Sequence, residues 1–355
     1  MTDTMPEPTL ADNAATGEDE ATASRTQLVG AGLFVLGLVV VWVGLDLMSG
    51  LSAWPRSIVS VVGVTALYQG FDQFVRLRYP SVEPGLVLAV GWLVLVVLVA
   101  VFAGVLPLGE HQNASATLRV PSYERPDLFS SHPLGTNQQG LDMLGRLVHG
   151  ARVSLVVGIG AVAVGMFIGG MVGLIAGFYR RGVDTIVGII TDALLAFPPL
   201  VMLVALASVL DRNLRNTVIG LAILAVPTNI RLARANTMRF TELEFVQAAR
   251  GMGAKNRRII LRELLPNIAL PMLSYAFIIV AVLIVAEASI SFLGLGIQQP
   301  KPTWGNMIAE GDGGVFEDHP HIVLVPGLTM FLTVFAFNRV GESARNSLGA
   351  SELSL

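Results

Sequence analysis

Long stretches almost free of charge recur along this chain, and they decide its solvent. Residues 85–107 carry no charged side chain at all. A helix rises 1.5 Å per residue, so about 20 apolar residues cross a hydrocarbon core of about 30 Å. Eight segments fit that length: about 28–48, 57–75, 85–107, 151–178, 184–210, 216–233, 268–296 and 321–340. The second is the weakest, because Tyr68, Gln69, Asp72 and Gln73 load its later half, and the sixth is short and contains Pro227. Charged residues make up 14% of the 355, against roughly 25% in soluble domains, and mean hydropathy is +0.66. A water-soluble fold of this length lacks the charge to cover itself. The expected class is an all-α polytopic membrane protein.

The chain has no cysteine, which excludes disulfides, thiolate metal sites and a cysteine nucleophile. A net charge of −3 gives no basic field for nucleic acid. Residues 1–27 are acidic and rich in Ala and Thr, too poor in apolar area to offset the entropy of ordering, and are expected to be a disordered tail. The two spans within 28–80 would form an additional hairpin, 81–348 the main transmembrane domain, and 349–355 a second tail.

With the amino terminus inside and eight alternating spans, the inside segments carry about two-thirds of the 23 basic residues, as the positive-inside rule requires. Both termini and the basic stretch from Arg231 to Arg262 then lie in the cytoplasm. The fourth span carries Gly165, Gly169, Gly173 and Gly177, a stripe along one face that reads as close helix packing inside a bundle.

Patterns for catalysis are missing. Gly251-Met252-Gly253-Ala254-Lys255 has the wrong spacing for a phosphate-binding loop. His319 and His321 stand beside Asp318, yet read as solvated loop histidines rather than metal ligands. Two acids interrupt apolar spans: Asp192, just before Phe197, Pro198 and Pro199, and Glu287. A carboxylate at the bilayer centre costs about 2.5–3.5 kcal/mol on insertion scales. Each either lines or gates a translocation path, with the prolines breaking the helix nearby, or makes a structural polar contact.

The stretch 240–267 is the most informative. Residues 242–251 read as one short helix and 255–265 as another, with Gly251 and Gly253 permitting the turn. Phe245, Ala248 and Ala249 give the first a small apolar face. The second is amphipathic, with Ile259, Ile260 and Leu264 against Arg257, Arg258 and Arg262. Such an element either lies on anionic lipid or docks in a groove of another protein.

These residues resemble the coupling loop of ABC importer permeases. Gln247-Ala248-Ala249, Gly253, Glu263 and Leu265-Pro266 fall on that family's spacing, with Gln247 replacing its usual Glu and Glu263 its usual Ile. Losing that charge argues against a salt bridge at Gln247. His132-Pro133-Leu134-Gly135-Thr136-Asn137, Gly150-Ala151-Arg152-Val153-Ser154-Leu155, the run from Asp192 to Pro198, Glu287 to Gly296 and Pro302-Thr303-Trp304-Gly305 are similar to the second permease type of the dipeptide/oligopeptide/nickel family. Gly140-Leu141-Asp142 departs from that family's Gly-Arg-Asp, and its Asp-Pro-Arg ending is absent.

The resemblance implies a six-helix core with the hairpin added, eight spans in all, in the cell membrane. It implies pairing with a homologous permease of the first type, two cytoplasmic ATPases and an external substrate-binding protein. The loop would sit on one ATPase, and ATP and Mg would bind those subunits, leaving this chain without cofactor or catalysis. The implied substrate is a dipeptide or oligopeptide, with nickel as the alternative. An ion-coupled secondary transporter would instead show inverted repeats, and none is evident.

Overall fold

The computed structural model describes residues 32–40, 53–78, 83–127 and 129–352. The expected acidic tail and the last three residues fall outside these, and the first expected span is described only over 32–40. Among the described residues the structure is helical, with no strand beyond an isolated bridge between Thr136 and Asp142.

In chain order the helices are α1 (residues 32–40), α2 (Ala53–Arg78), α3 (Pro84–Phe102), α4 (Met143–Tyr179), α5 (Arg181–Ala196), α6 (Pro199–Val209), α7 (Leu214–Phe240), α8 (Glu244–Gly251), α9 (Asn256–Phe292), α10 (Trp304–Ala309), α11 (Val315–Asp318) and α12 (His321–Glu352). Five of them, α3, α4, α7, α9 and α12, are long and apolar enough to cross a membrane. The pair α5 and α6 supplies a sixth candidate, bent by 88°. The break falls at Phe197 and Pro198, both extended, with Pro199 opening α6. Proline lacks the N–H that would continue α5 and fits the first turn of α6 instead.

The chain divides into two compact units, Met1–Leu88 and Ala89–Leu355. Within the first, α1 and α2 approach closely: a Cβ on Gly37 would lie 2.5 Å from the Leu67 nitrogen and 2.8 Å from the Gly63 carbonyl. The polar residues of its later half keep α2 out of the helices apolar enough to span, so the described residues do not yield a count of eight.

In the second unit, one core joins Val96 and Ala100 of α3, Leu155 and Ala161 of α4, Leu221 and Ala225 of α7, Ile284 of α9 and Phe337 of α12. Trp92 donates its indole N–H to Thr333 Oγ1 at 3.0 Å. Helix boundaries depart from expectation at two informative places. α4 starts at Met143 rather than near 151, because Asp142 caps it by accepting the Gly145 N–H at 2.8 Å. The expected second loop helix is no separate element; it runs into the next span as α9.

Candidate functional site

At one end of the second unit, α7 stops at Phe240 and the chain turns through α8 into α9. A Schellman motif closes α8. The Gly253 N–H donates to the Arg250 carbonyl at 2.9 Å and the Ala254 N–H to the Ala249 carbonyl at 3.0 Å. Gly253 stands at φ +79°, a conformation open to glycine and strained for other residues. Gly251 ends the helix without a positive φ, so Gly253 alone makes the turn. A Cβ on Gly251 would meet nothing within 4 Å, so no packing inside this chain calls for its small size.

The buried face of α8 differs from the expected one. Val246 and Ala249, three apart, point inward at 0% and 7% exposure, whereas Phe245, Gln247 and Ala248 face outward. Phe245 and Ala248 of the apolar face read from the sequence turn outward, and Val246 with Ala249 makes the inner face. Gln247 donates its amide to the Thr241 carbonyl at 3.1 Å, which a glutamate at this position could not do. Arg250 stacks its guanidinium 5.5 Å from the Phe178 ring centroid.

Val246 and Ala249 share a core with Ile259, Leu264, Ile268 and Met272 of α9, Leu174 of α4 and Ala233 of α7. A displacement of α8 therefore presses on three spans together. Arg257, Arg258 and Arg262 lie outward, as the amphipathic reading expects. The start of α9 is a π-helical turn over Ile259–Leu264, with the Leu265 N–H donating to the Ile260 carbonyl. Pro266 follows at once, exposed, while Leu265 is half-buried. A proline removes an α-helical bond and crowds the carbonyl four residues back, and the wider turn accommodates it.

The glycine stripe faces α7 along its length. A Cβ on Gly165, Gly169, Gly173 or Gly177 would lie 2.8, 2.7, 2.8 and 2.7 Å from the Cβ atoms of Ala225, Asn229, Ala233 and Thr237. Both rows repeat every four residues, so α4 and α7 run parallel and backbone to backbone. The sequence showed the glycines; their partner row, with Asn and Thr in it, passed unnoticed.

The four path candidates separate. Glu287 has no exposed surface. It accepts from Ser291 Oγ at 2.7 Å and from Ser154 Oγ at 3.2 Å, and Ser154 also receives the Trp304 N–H at 3.4 Å. Of the two readings, the geometry in this conformation is that of a structural contact joining α4, α9 and α10. Asp192 is outward-facing and bonded to Arg231 of α7 at 2.6 Å. Phe197 and Pro198 are exposed at the elbow. Beside Asp192, Asp184 forms a two-bond pair with Arg234. The spacings of eight on α5 and three on α7 put these charges on facing sides, a signal present in the sequence and not used.

The opposite end is a cap. Arg146, 1% exposed, pairs with Glu310, which also accepts from Asn137 and Gln299 at 3.0 Å each. Burial pushes the Glu310 carboxyl up, against the pull of Arg146 and the Asn137 bond. Leu141, where the resembled family carries arginine, is wholly buried. His319 stacks on Tyr123 at 4.4 Å and His111 on His149 at 3.7 Å.

Comparison with known proteins agrees with this arrangement. Residues 146–345 match the family described as binding-protein-dependent transport system inner membrane component. The dipeptide transport system permease protein DppC of Alkalihalophilus pseudofirmus is 37% identical over 254 residues, 71% of this chain and 81% of that protein. The glutathione transport system permease protein GsiD of Pectobacterium atrosepticum is 38% identical over 219 residues, 62% and 72% of the two chains. The di/tripeptide transport system permease protein DppC of Pseudomonas aeruginosa is 38% identical over 215 residues, 61% and 71%. A methionine ABC transporter in an inward-facing form is similar at TM-score 0.46 and 21% identity, over 57% of this chain and 97% of that one, too loosely to add weight. The chain belongs to the inner-membrane components of binding-protein-dependent transport systems, the permease subunits of ABC importers.

Proposed function

We propose that this chain is one of two permease subunits of an ATP-driven importer of dipeptides and other short peptides. It pairs with a homologous permease of the first type, and 240–267 docks on one of two cytoplasmic ATPases that bind ATP and Mg. An external binding protein delivers substrate, both termini face the cytoplasm, and α1 with α2 forms a hairpin added to the core. The loop's architecture is the observation that carries this reading: an outward tip of Phe245, Ala248 and Met252 on a rigid glycine turn, backed by a core reaching three spans. Closure of the ATPases would push that tip and swing the spans as bodies between two states. Peptide as the substrate rests on the relatives, whose names specify dipeptide, glutathione and di/tripeptide; nickel has no such support.

The absence of native cysteine makes the test direct. A single cysteine at Ala248, or at Ala114 as control, is paired with cysteines in the groove of the ATPase encoded alongside. A nucleotide-sensitive crosslink at position 248 alone, arresting uptake of labelled dialanine, is the expected result. An intact complex with no crosslink there would return the loop to a helix resting on lipid.

A further inference from the structure

A cavity of about 320 Å³ lies between α5 and α7, lined by Asp184, Thr185, Thr191, Asp192, Arg231 and Arg234 among others. Small-molecule sites occupy about 300–1,000 Å³, so this one has room for a small solute. Its wall is unusual for membrane-spanning helices, where each ionisable side chain is costly and tends to serve a function. On another side α5 shows Ile186 and Ile190 outward, away from the cavity lining.

The two ion pairs differ. Asp184 and Arg234 are joined by two bonds that use both carboxylate oxygens. Asp192 and Arg231 are joined by one bond, from Nη2 to Oδ1, with side chains 69% and 57% exposed. Asp192 Oδ2 and the other guanidinium donors lie outside that bond. Between the pairs stands Thr191, 2% exposed, with its hydroxyl bonded to nothing. A buried hydroxyl without a partner costs on the order of 1–3 kcal/mol; this one has no surface open to water and stands behind the cavity wall.

An acceptor of one charge and a fork of donors of the other thus converge on one space. A simple anion would use only the arginine, and a cation only the aspartate. We propose that this cavity is a subsite for a zwitterion with separated charges, the main chain of a short peptide, in transit between α5 and α7. Its ammonium meets Asp192, and its carboxylate meets the guanidinium of Arg231 in place of the internal bond. The proposal rests on the peptide reading above and adds where the peptide is held.

The test is equilibrium binding of labelled dialanine to the nucleotide-free complex of both permeases and both ATPases in lipid nanodiscs, without the external binding protein, with N-acetyl-dialanine and dialanine amide as competitors. Asp192→Asn and Arg231→Gln are each expected to weaken binding about tenfold or more, the scale of a lost charge-assisted hydrogen bond. Asp192→Asn should also erase the preference for a free amino end, and Arg231→Gln that for a free carboxylate. Thr191→Val, whose hydroxyl is closed off from the cavity, is the control: binding should hold while the melting temperature holds or rises. Absence of dialanine binding in the wild type, or unchanged binding in whichever charge variants assemble, overturns the subsite. Failure of wild-type cells to take up dialanine would instead overturn the peptide reading itself.

Discussion

Gly173 on α4 and Ala233 on α7 meet so closely that a methyl group on the glycine would lie 2.8 Å from the alanine Cβ. The relation repeats three more times along two parallel rows, so α4 and α7 behave as one body. Ala233 also belongs to the core beneath α8. The pair that is least able to slide is therefore the pair the loop presses on.

A bulky residue in this seam should break it. Gly173→Leu is expected to cost about 1–3 kcal/mol or more through overpacking, with loss of the assembled permease. Gly220→Ala, on α7 where a Cβ meets nothing within 4 Å, is expected to be neutral or stabilising by about 0.5–1 kcal/mol. Thermal unfolding in detergent distinguishes them, and equal melting temperatures would refute the seam.

The two faces of α8 make a second contrast. Val246→Asp places a charge in a site with no exposure and should lower the permease melting temperature sharply. Ala248→Asp, on the outer face, should leave that temperature unchanged and abolish co-purification of the ATPase. Destabilisation by Ala248→Asp would mean that the outer face packs within the permease after all.

Glu287 gives a third. Glu287→Gln keeps an acceptor for Ser154 and Ser291 and should assemble and transport nearly as the wild type does. Glu287→Leu leaves a buried pair of hydroxyls to find other partners, at about 1–3 kcal/mol for each that fails. A gate that needed the negative charge would show the reverse: Glu287→Gln stable and inactive.

The cap carries a pH dependence at Glu110. Its carboxylate accepts the backbone N–H groups of Asn113, Gln112 and His111 at 2.9, 3.0 and 3.1 Å. The Asn113 and Gln112 bonds foremost hold the carboxyl below the usual range. A lowered folded value stabilises this turn above the unfolded pKa of about 4.3, and that stability is lost as pH falls through the folded value. The protection factor of the Asn113 amide, its exchange relative to the intrinsic rate at each pH, should fall on acidification in the wild type and lose that dependence in Glu110→Gln.

The spans were legible because a bilayer enforces their length and apolarity, and the loop because its glycine and Leu-Pro punctuate a basic amphipathic run. Residues whose meaning depends on a distant partner were not. Arg146 precedes the apolar run that begins near 151, and its partner Glu310 is 164 residues away; with that charge paired, α4 begins earlier than apolarity alone suggests. Asp192 looked like an isolated acid in an apolar span, since nothing local shows that α7 brings Arg231 to it. Val246 was not singled out, since Phe245 and Val246 lie four and three residues from Ala249 and helical period fits both.

The turn closing α8 holds two glycines with opposite roles, and substitution separates them. Gly253→Ala forces a side chain to φ +79°, at roughly 1–2 kcal/mol for the left-handed conformation, and should loosen the loop without abolishing the fold. Gly251→Ala improves helix propensity by about 0.8–1 kcal/mol and meets open space, so the isolated permease should be slightly more stable. If the tip fits closely into an ATPase groove, that same added methyl should reduce dipeptide uptake and ATPase retention. Greater stability together with lower coupling in Gly251→Ala is the signature of a residue kept small for a partner. Unimpaired uptake would mean that the groove leaves room at the helix end.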